Sequence, residues 1–128
     1  MPITATPVDG HSRLKTVIDG PLSLDDVRLH VQWLVDSGGM RCADLVDVRS
    51  MTGPSLSTAA VWSVVEQLKT LRRFDAPFGP RAIVVDDDVR YGMARMFSRL
   101  IAPRMQVGVF RDPAEAERWL DAAAAGAA

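Results

Sequence analysis

The sequence predicts an α/β domain built on a mainly parallel sheet. Three observations carry that expectation. Short apolar runs alternate with helical stripes along most of the chain, the rhythm of strand–helix units in a parallel sheet. Two β-branched runs near the start, PITATPV and RLKTVID, are separated by DGHS, and an Asp-Gly turn between such runs reads as a hairpin. Each later helical stripe opens close to a serine or aspartate, the residues that cap helix amino ends. The expected tally is about five strands, including the hairpin, and about four helices, joined by right-handed crossovers.

A chain of 128 residues is expected to form one domain, residues 1–128, with a core that needs no staples. The formal net charge of -1 gives no basic field for nucleic acid. One cysteine, Cys42, excludes an internal disulfide and fits a reducing compartment. No apolar run reaches the roughly 20 residues of a membrane span. The segment MPITATPVDG lacks the features of a signal peptide, so a cytoplasmic address is expected.

The elements follow in order. Residues 2–8 and 13–19 form the hairpin, and the two prolines of the first run suit an edge strand. Ser23 caps the first helix, with Asp26 three residues on. Leu24, Val27, Val31, Leu34 and Val35 form its core stripe, and Gly38-Gly39 close it. His30 and Trp33 fall beside that stripe and are expected to be packed or solvated. Asp44–Val48 is the next strand. Asp47 within it is a candidate carboxylate, either functional or bonded at the strand's end, since a buried carboxylate needs partners. Ser55, Ser57 and Thr58 are candidate caps for the second helix, whose stripe is Val61, Val64, Val65, Leu68 and Leu71. Lys69, Arg72 and Arg73 favour its carboxyl end. The stretch 74–80 (FDAPFGP) reads as a stiff loop.

Ala82–Val85 is a strand apolar enough to be covered on both faces. It ends in Asp86, Asp87 and Asp88, of which Asp87 or Asp88 caps a third helix. Met93, Met96, Phe97 and Leu100 form that helix's core face. Gly92 costs helix stability, which predicts a close backbone approach there, to a neighbouring strand, a ligand or a partner. Met105–Phe110 is the last strand. Asp112-Pro113 starts the last helix, docked by Ala116, Trp119 and Leu120. Residues 122–128 are expected to fray.

Little in the sequence points to chemistry. Asp86–Asp88 at a strand's carboxyl end lie where α/β folds place sites, and hard oxygen ligands suit Mg²⁺. One cap and two solvated turn residues account for them as well. Arg90, Arg95 and Arg99 recur on one helix side and offer an anion contact. Nucleophile elbows and glycine-rich phosphate loops are absent. No cofactor and no metal is predicted.

Four segments, GPLSLDDV, LVDVRSMTG, RAIVVDDDVRYGMARMF and VGVFRDPAEAERWL, resemble the SpoIIAA-like group related to STAS domains. The resemblance covers nearly the whole chain after the first strand. It implies a non-catalytic regulatory or binding module. Anti-sigma-factor antagonists of this kind bind a partner kinase through the loop and helix after the second core strand. Phosphorylation of a serine there breaks the complex. The resemblance places Ser57 near that serine. Where such antagonists carry an acidic residue, Ser55 stands here. Similar folds also bind lipids or other small molecules between sheet and helices.

The expected function is therefore a non-enzymatic module making protein contacts through the strand-end loops. Asp47, Ser55, Ser57, Thr58, Asp86, Asp87, Asp88, Tyr91 and Arg95 are the candidate contact residues, and Ser57 is the candidate phosphorylation site. The alternatives are a small hydrophobic ligand between sheet and helices, or an enzyme using Asp47 and Asp86–Asp88. A homodimer through a sheet edge, Trp33 or Trp62 is a further reading. A closed pocket favours the ligand, and a flat surface with exposed Met51 or Tyr91 favours a protein partner.

Overall fold

The computed structural model describes residues 2–8, 10, 12–71, 78–102 and 104–126. The expected Arg72 and Arg73 charges, residues 74–77 of the stiff loop and Asp9 and His11 of the expected hairpin turn lie outside them. Five strands form one sheet: β1 Ile3–Val8, β2 Arg13–Gly20, β3 Ala43–Met51, β4 Arg81–Val84 and β5 Val107–Phe110. Their spatial order is their chain order. β1 pairs antiparallel with β2, and all later pairs are parallel. The α/β class with an N-terminal hairpin and mainly parallel sheet is what the sequence predicts. β3 runs beyond Val48 to Met51, because an irregularity between Val17 and Asp19 in β2 lets Ser50 and Met51 pair with Asp19 and Gly20.

Four α-helices follow the expected caps: α1 Leu24–Ser37, α2 Thr58–Lys69, α3 Asp88–Ile101 and α4 Pro113–Gly126. Ser23 and Asp26 form a full capping box, with hydrogen bonds of 3.1 and 3.0 Å, satisfying two otherwise orphaned donors. Ser57 accepts from Ala60 N, and Asp87 from Arg90 N. Asp112 accepts from Ala114 N ahead of Pro113. Gly38 ends α1 at φ 80°, a conformation that favours glycine.

α1, α2 and α3 cover one face of the sheet, while α4 packs on β3, β4 and β5 from the other. Strand alternation sorts the side chains. Leu14, Thr16, Val46 and Val85 face the three helices, whereas Leu45, Ala82 and Val84 face Ala116 and Leu120 of α4.

One expectation is corrected in part. A Cβ at Gly92 would meet nothing within 4 Å and the residue is exposed, so no neighbouring strand approaches it. α4 continues through the alanines, which have the highest helix propensity, to Gly126, and the half-buried Ala124 packs against the Ala116–Leu120 cluster.

Candidate functional site

The structure places one polar cluster and one apolar space at opposite ends of the helix-covered face. At the amino ends of the parallel strands, Asp44 is 1% exposed and Arg81 6%. Asp44 Oδ1 accepts from Thr16 Oγ1 at 2.8 Å, and Arg81 Nε stands 3.8 Å from Asp44 Oδ2. Arg81 Nη1 donates to the carbonyls of Cys42 and Gly79 at 2.6 and 2.9 Å. Its Nη2 donates to those of Gly39 and Met40 at 3.1 and 3.4 Å. One guanidinium thus ties the 3-10 turn Gly39–Arg41 to the start of β4. Burial pushes the Asp44 carboxyl above its ordinary range, opposed by Arg81 and the Thr16 hydroxyl. Burial lowers Arg81 in turn. Gly79 is required beside it, since a Cβ would run into the Cys42 carbonyl. The cluster is closed and satisfied, which is the condition for tolerating buried charge.

At the carboxyl ends of the strands the helices leave space. A partly open cavity of about 210 Å³ lies between the sheet and α1–α3. Its sheet side is Ile18, Val46, Val48, Ile83 and Val85, and its helix side includes Val27, Val61, Val64, Ala94 and Phe97. Met51, Ser55, Leu56 and Arg90 extend it toward the loop between β3 and α2. The sequence explains the space. Each helix starts at the carboxyl end and returns to the amino end, and residues seven apart share a face. Val27, Val61 and Ala94 line the cavity, while Leu34, Leu68 and Ile101, each seven positions on, are buried in the tight end. On every helix the residue at the cavity end is the smaller.

Arg90 joins this cavity to the loops. Its Nη1 donates to Asp87 Oδ2 at 2.7 Å and its Nη2 to the Gly53 carbonyl at 2.9 Å. Its Nε is buried and has no partner among the described residues. Bonds from Arg90, first that of its backbone N–H, hold the Asp87 carboxyl below its ordinary range.

The nine candidate residues separate. Ser55 alone lines the cavity. Ser57 caps α2 and is exposed, as is Thr58. Asp47 has a side chain 17% exposed and accepts from Arg49 Nη2 at 2.9 Å; bonds from the Arg49 side chain lower its carboxyl. It points to the face opposite the cavity, in step with Leu45. Asp86 is exposed, and Asp88 pairs with Arg111. Tyr91 is half-buried, with the Arg111 and Arg95 guanidinium carbons 4.8 and 5.9 Å from its ring centre. Among the described residues, no group of three His, Cys, Asp or Glu could hold a metal. Sequence reasoning passed over Asp44, Arg81 and the place of Arg90 at the edge of the cavity. The signal for Asp44 was its parity with Val46 and Val48, which puts it under the helices.

No protein-family model matches the sequence, and no curated protein is significantly similar to it. A solved structure is similar: an uncharacterised protein of the DUF3478 family with a SpoIIAA-like fold, from Shewanella loihica PV-4. It matches with a TM-score of 0.59 and 20% identity over 92% of this chain and 91% of that one. Among the described residues, no helix is long and apolar enough to cross a membrane. With its five-stranded sheet, N-terminal hairpin and four helices, the chain has a SpoIIAA-like fold.

Proposed function

We propose that this domain is a non-catalytic binding module whose ligand is a small apolar molecule held between the sheet and α1–α3. The observation that carries this reading is the cavity of about 210 Å³ and its nearly unbroken apolar wall. A wall this apolar offers water few hydrogen-bond partners, so the space is better filled by an apolar group than by solvent. A ligand of matching shape supplies that group.

Three of the four acidic residues offered for catalysis are otherwise engaged, and Asp86 is exposed: Asp87 caps α3, Asp88 pairs with Arg111 and Asp47 with Arg49. Met51 and Tyr91 are half-buried against the core rather than displayed on a flat patch. The large exposed apolar residues Leu29, Trp33, Trp62 and Val89 are spread over three helices. Both facts favour the ligand over protein contacts at the strand-end loops.

Native mass spectrometry of the protein purified from its own host tests the reading. The expected result is a bound small molecule that organic extraction removes. A co-purifying protein in place of a small mass returns the function to partner contacts.

A further inference from the structure

We infer that the outer edge of β5 docks a second copy of this chain, β5 against β5 in antiparallel, so that the two sheets continue as one across a two-fold axis; nothing in this depends on the cavity. The sheet ends in β1 on one side and in β5 on the other, and the two edges differ. Backbone groups turn alternately to either side along a strand. Asp19 N–H donates to the Pro2 carbonyl, so Ile3, Ala5 and Pro7 turn theirs away from β2, and Pro7 has no N–H to give. That edge is blunted. Arg81 N–H donates to the Gln106 carbonyl and Val85 N–H to that of Phe110, so Val107 and Val109 turn their groups away from β4. The Val107 carbonyl accepts from Ser98 Oγ at 3.2 Å and keeps a second lone pair. Neither outward N–H meets an acceptor among the described residues. β5 reads VGVF, without proline or charge, and an edge left so is a template for another strand.

The sequence around β5 fits its own copy. With the axis at Gly108, Val107 lies opposite the partner's Val109 and Val109 opposite the partner's Val107, each pair exchanging both of its backbone hydrogen bonds. Every outward group of β5 is then used. Continued past the strand ends, this register sets Arg104 towards the partner's Asp112 and Asp112 towards the partner's Arg104; both side chains are exposed. Opposite charges therefore meet at both ends. Moving the axis to Val107 or to Val109 leaves outward groups unused and removes both charge matches. The residue at the axis has no side chain to hold two copies apart. On the α4 side the space over Gly108 is taken by Phe110 and Trp119 of its own chain, whose ring centres are 5.6 Å apart. An interface of this kind uses the same patch on both copies and closes at two, since β1 offers no second open edge.

The test is sedimentation velocity of the full chain across a wide concentration range, with amide hydrogen exchange read at Val107 and Val109. We expect a dimer that grows with concentration, and exchange at both amides that slows as the dimer fraction rises. Val109→Pro removes one outward N–H per copy and no bond to β4, so the dissociation constant should rise by about tenfold or more. Arg104→Glu, at an exposed position, sets like charges together and should weaken the dimer about fivefold. If the proline variant fails to fold, Arg104→Glu and the exchange data on the unmodified protein decide. A monomer at every concentration overturns the inference. A dimer in which Val107 and Val109 exchange as fast as in the monomer also overturns it, and moves the interface to a surface such as Trp33 or Trp62. A dimer indifferent to Arg104→Glu overturns the register about Gly108.

Discussion

The two ends of the helix-covered face solve opposite problems. At the amino ends of the strands, charged groups are buried and every Arg81 nitrogen has a partner. Leu34, Leu68 and Ile101 fill the space between helices there. At the carboxyl ends the wall is apolar, the helix residues are smaller, and Arg90 keeps one donor unmet. The end with the closed charged cluster ties the fold together, while the end with the apolar wall offers room for a ligand. The order of the strands reinforces this. It never reverses, so the sheet has no switch-point crevice of the kind that hosts ligands in doubly wound folds. Space has to come from side-chain size.

The comparison can be broken most easily at its tight end. Arg81→Met removes a donor from four carbonyls, of which those of Gly39 and Met40 keep a backbone partner, and leaves Asp44 buried without its cation. The expected loss is about 3–5 kcal/mol in urea unfolding; a loss below about 1 kcal/mol would mean the cluster does not hold the fold.

The next effect concerns acid. Burial, helped by the nearby Arg81 charge, lowers His30 to about 4 from its ordinary 6.5. Below pH 6.5 the unfolded chain takes up a proton that the folded chain refuses until about pH 4, so stability falls across that window. After allowance for the partial exposure of His30, the drop is about 2 kcal/mol at most. His30→Gln should flatten the profile between pH 6.5 and 4, and an unchanged slope would assign the acid sensitivity elsewhere.

At the loose end, Ala94→Leu adds carbons toward free volume. Stability should hold or rise by up to about 2 kcal/mol, and apolar probes should no longer bind. A loss of stability similar to that of a core overpacking mutation would show that the cavity is not space. The smallest effect is at Gly92, exposed in mid-helix with nothing near it. Gly92→Ala should raise stability by roughly 0.5–1 kcal/mol, and a decrease would reveal a backbone contact made in a complex.

The fold was legible because its signals are local. Ser23 with Asp26, Asp87, and Asp112 before Pro113 mark helix starts by hydrogen bonds within three residues, and β1 pairs with β2, its neighbour in the chain. The site was less legible because it is made between elements. Asp47 drew attention as an acid within an apolar strand, yet Asp44 is the buried one; parity decides which face a residue occupies, and helices distant in sequence decide which face is covered. The Arg90 side chain looked like one member of a basic stripe. Only the meeting of α3 with the Gly53 loop commits two of its nitrogens and leaves the third. The cavity was written in the seven-residue steps Val27 to Leu34, Val61 to Leu68 and Ala94 to Ile101, but no one helix shows it.

Pairing each strand with its predecessor also has a consequence for how the chain matures. β2, β3, β4 and β5 can add in the order in which they are synthesised, each closing a crossover no longer than one helix with its loops, which favours rapid growth of the sheet from its first hairpin. α4 alone must reach back, from the end of the chain across β5 and β4 to β3. Until it does, Leu45, Ala82 and Val84 stand uncovered. A nascent chain of this domain therefore carries one apolar sheet face until α4 has been made, and that face is where chaperone contact or aggregation would begin.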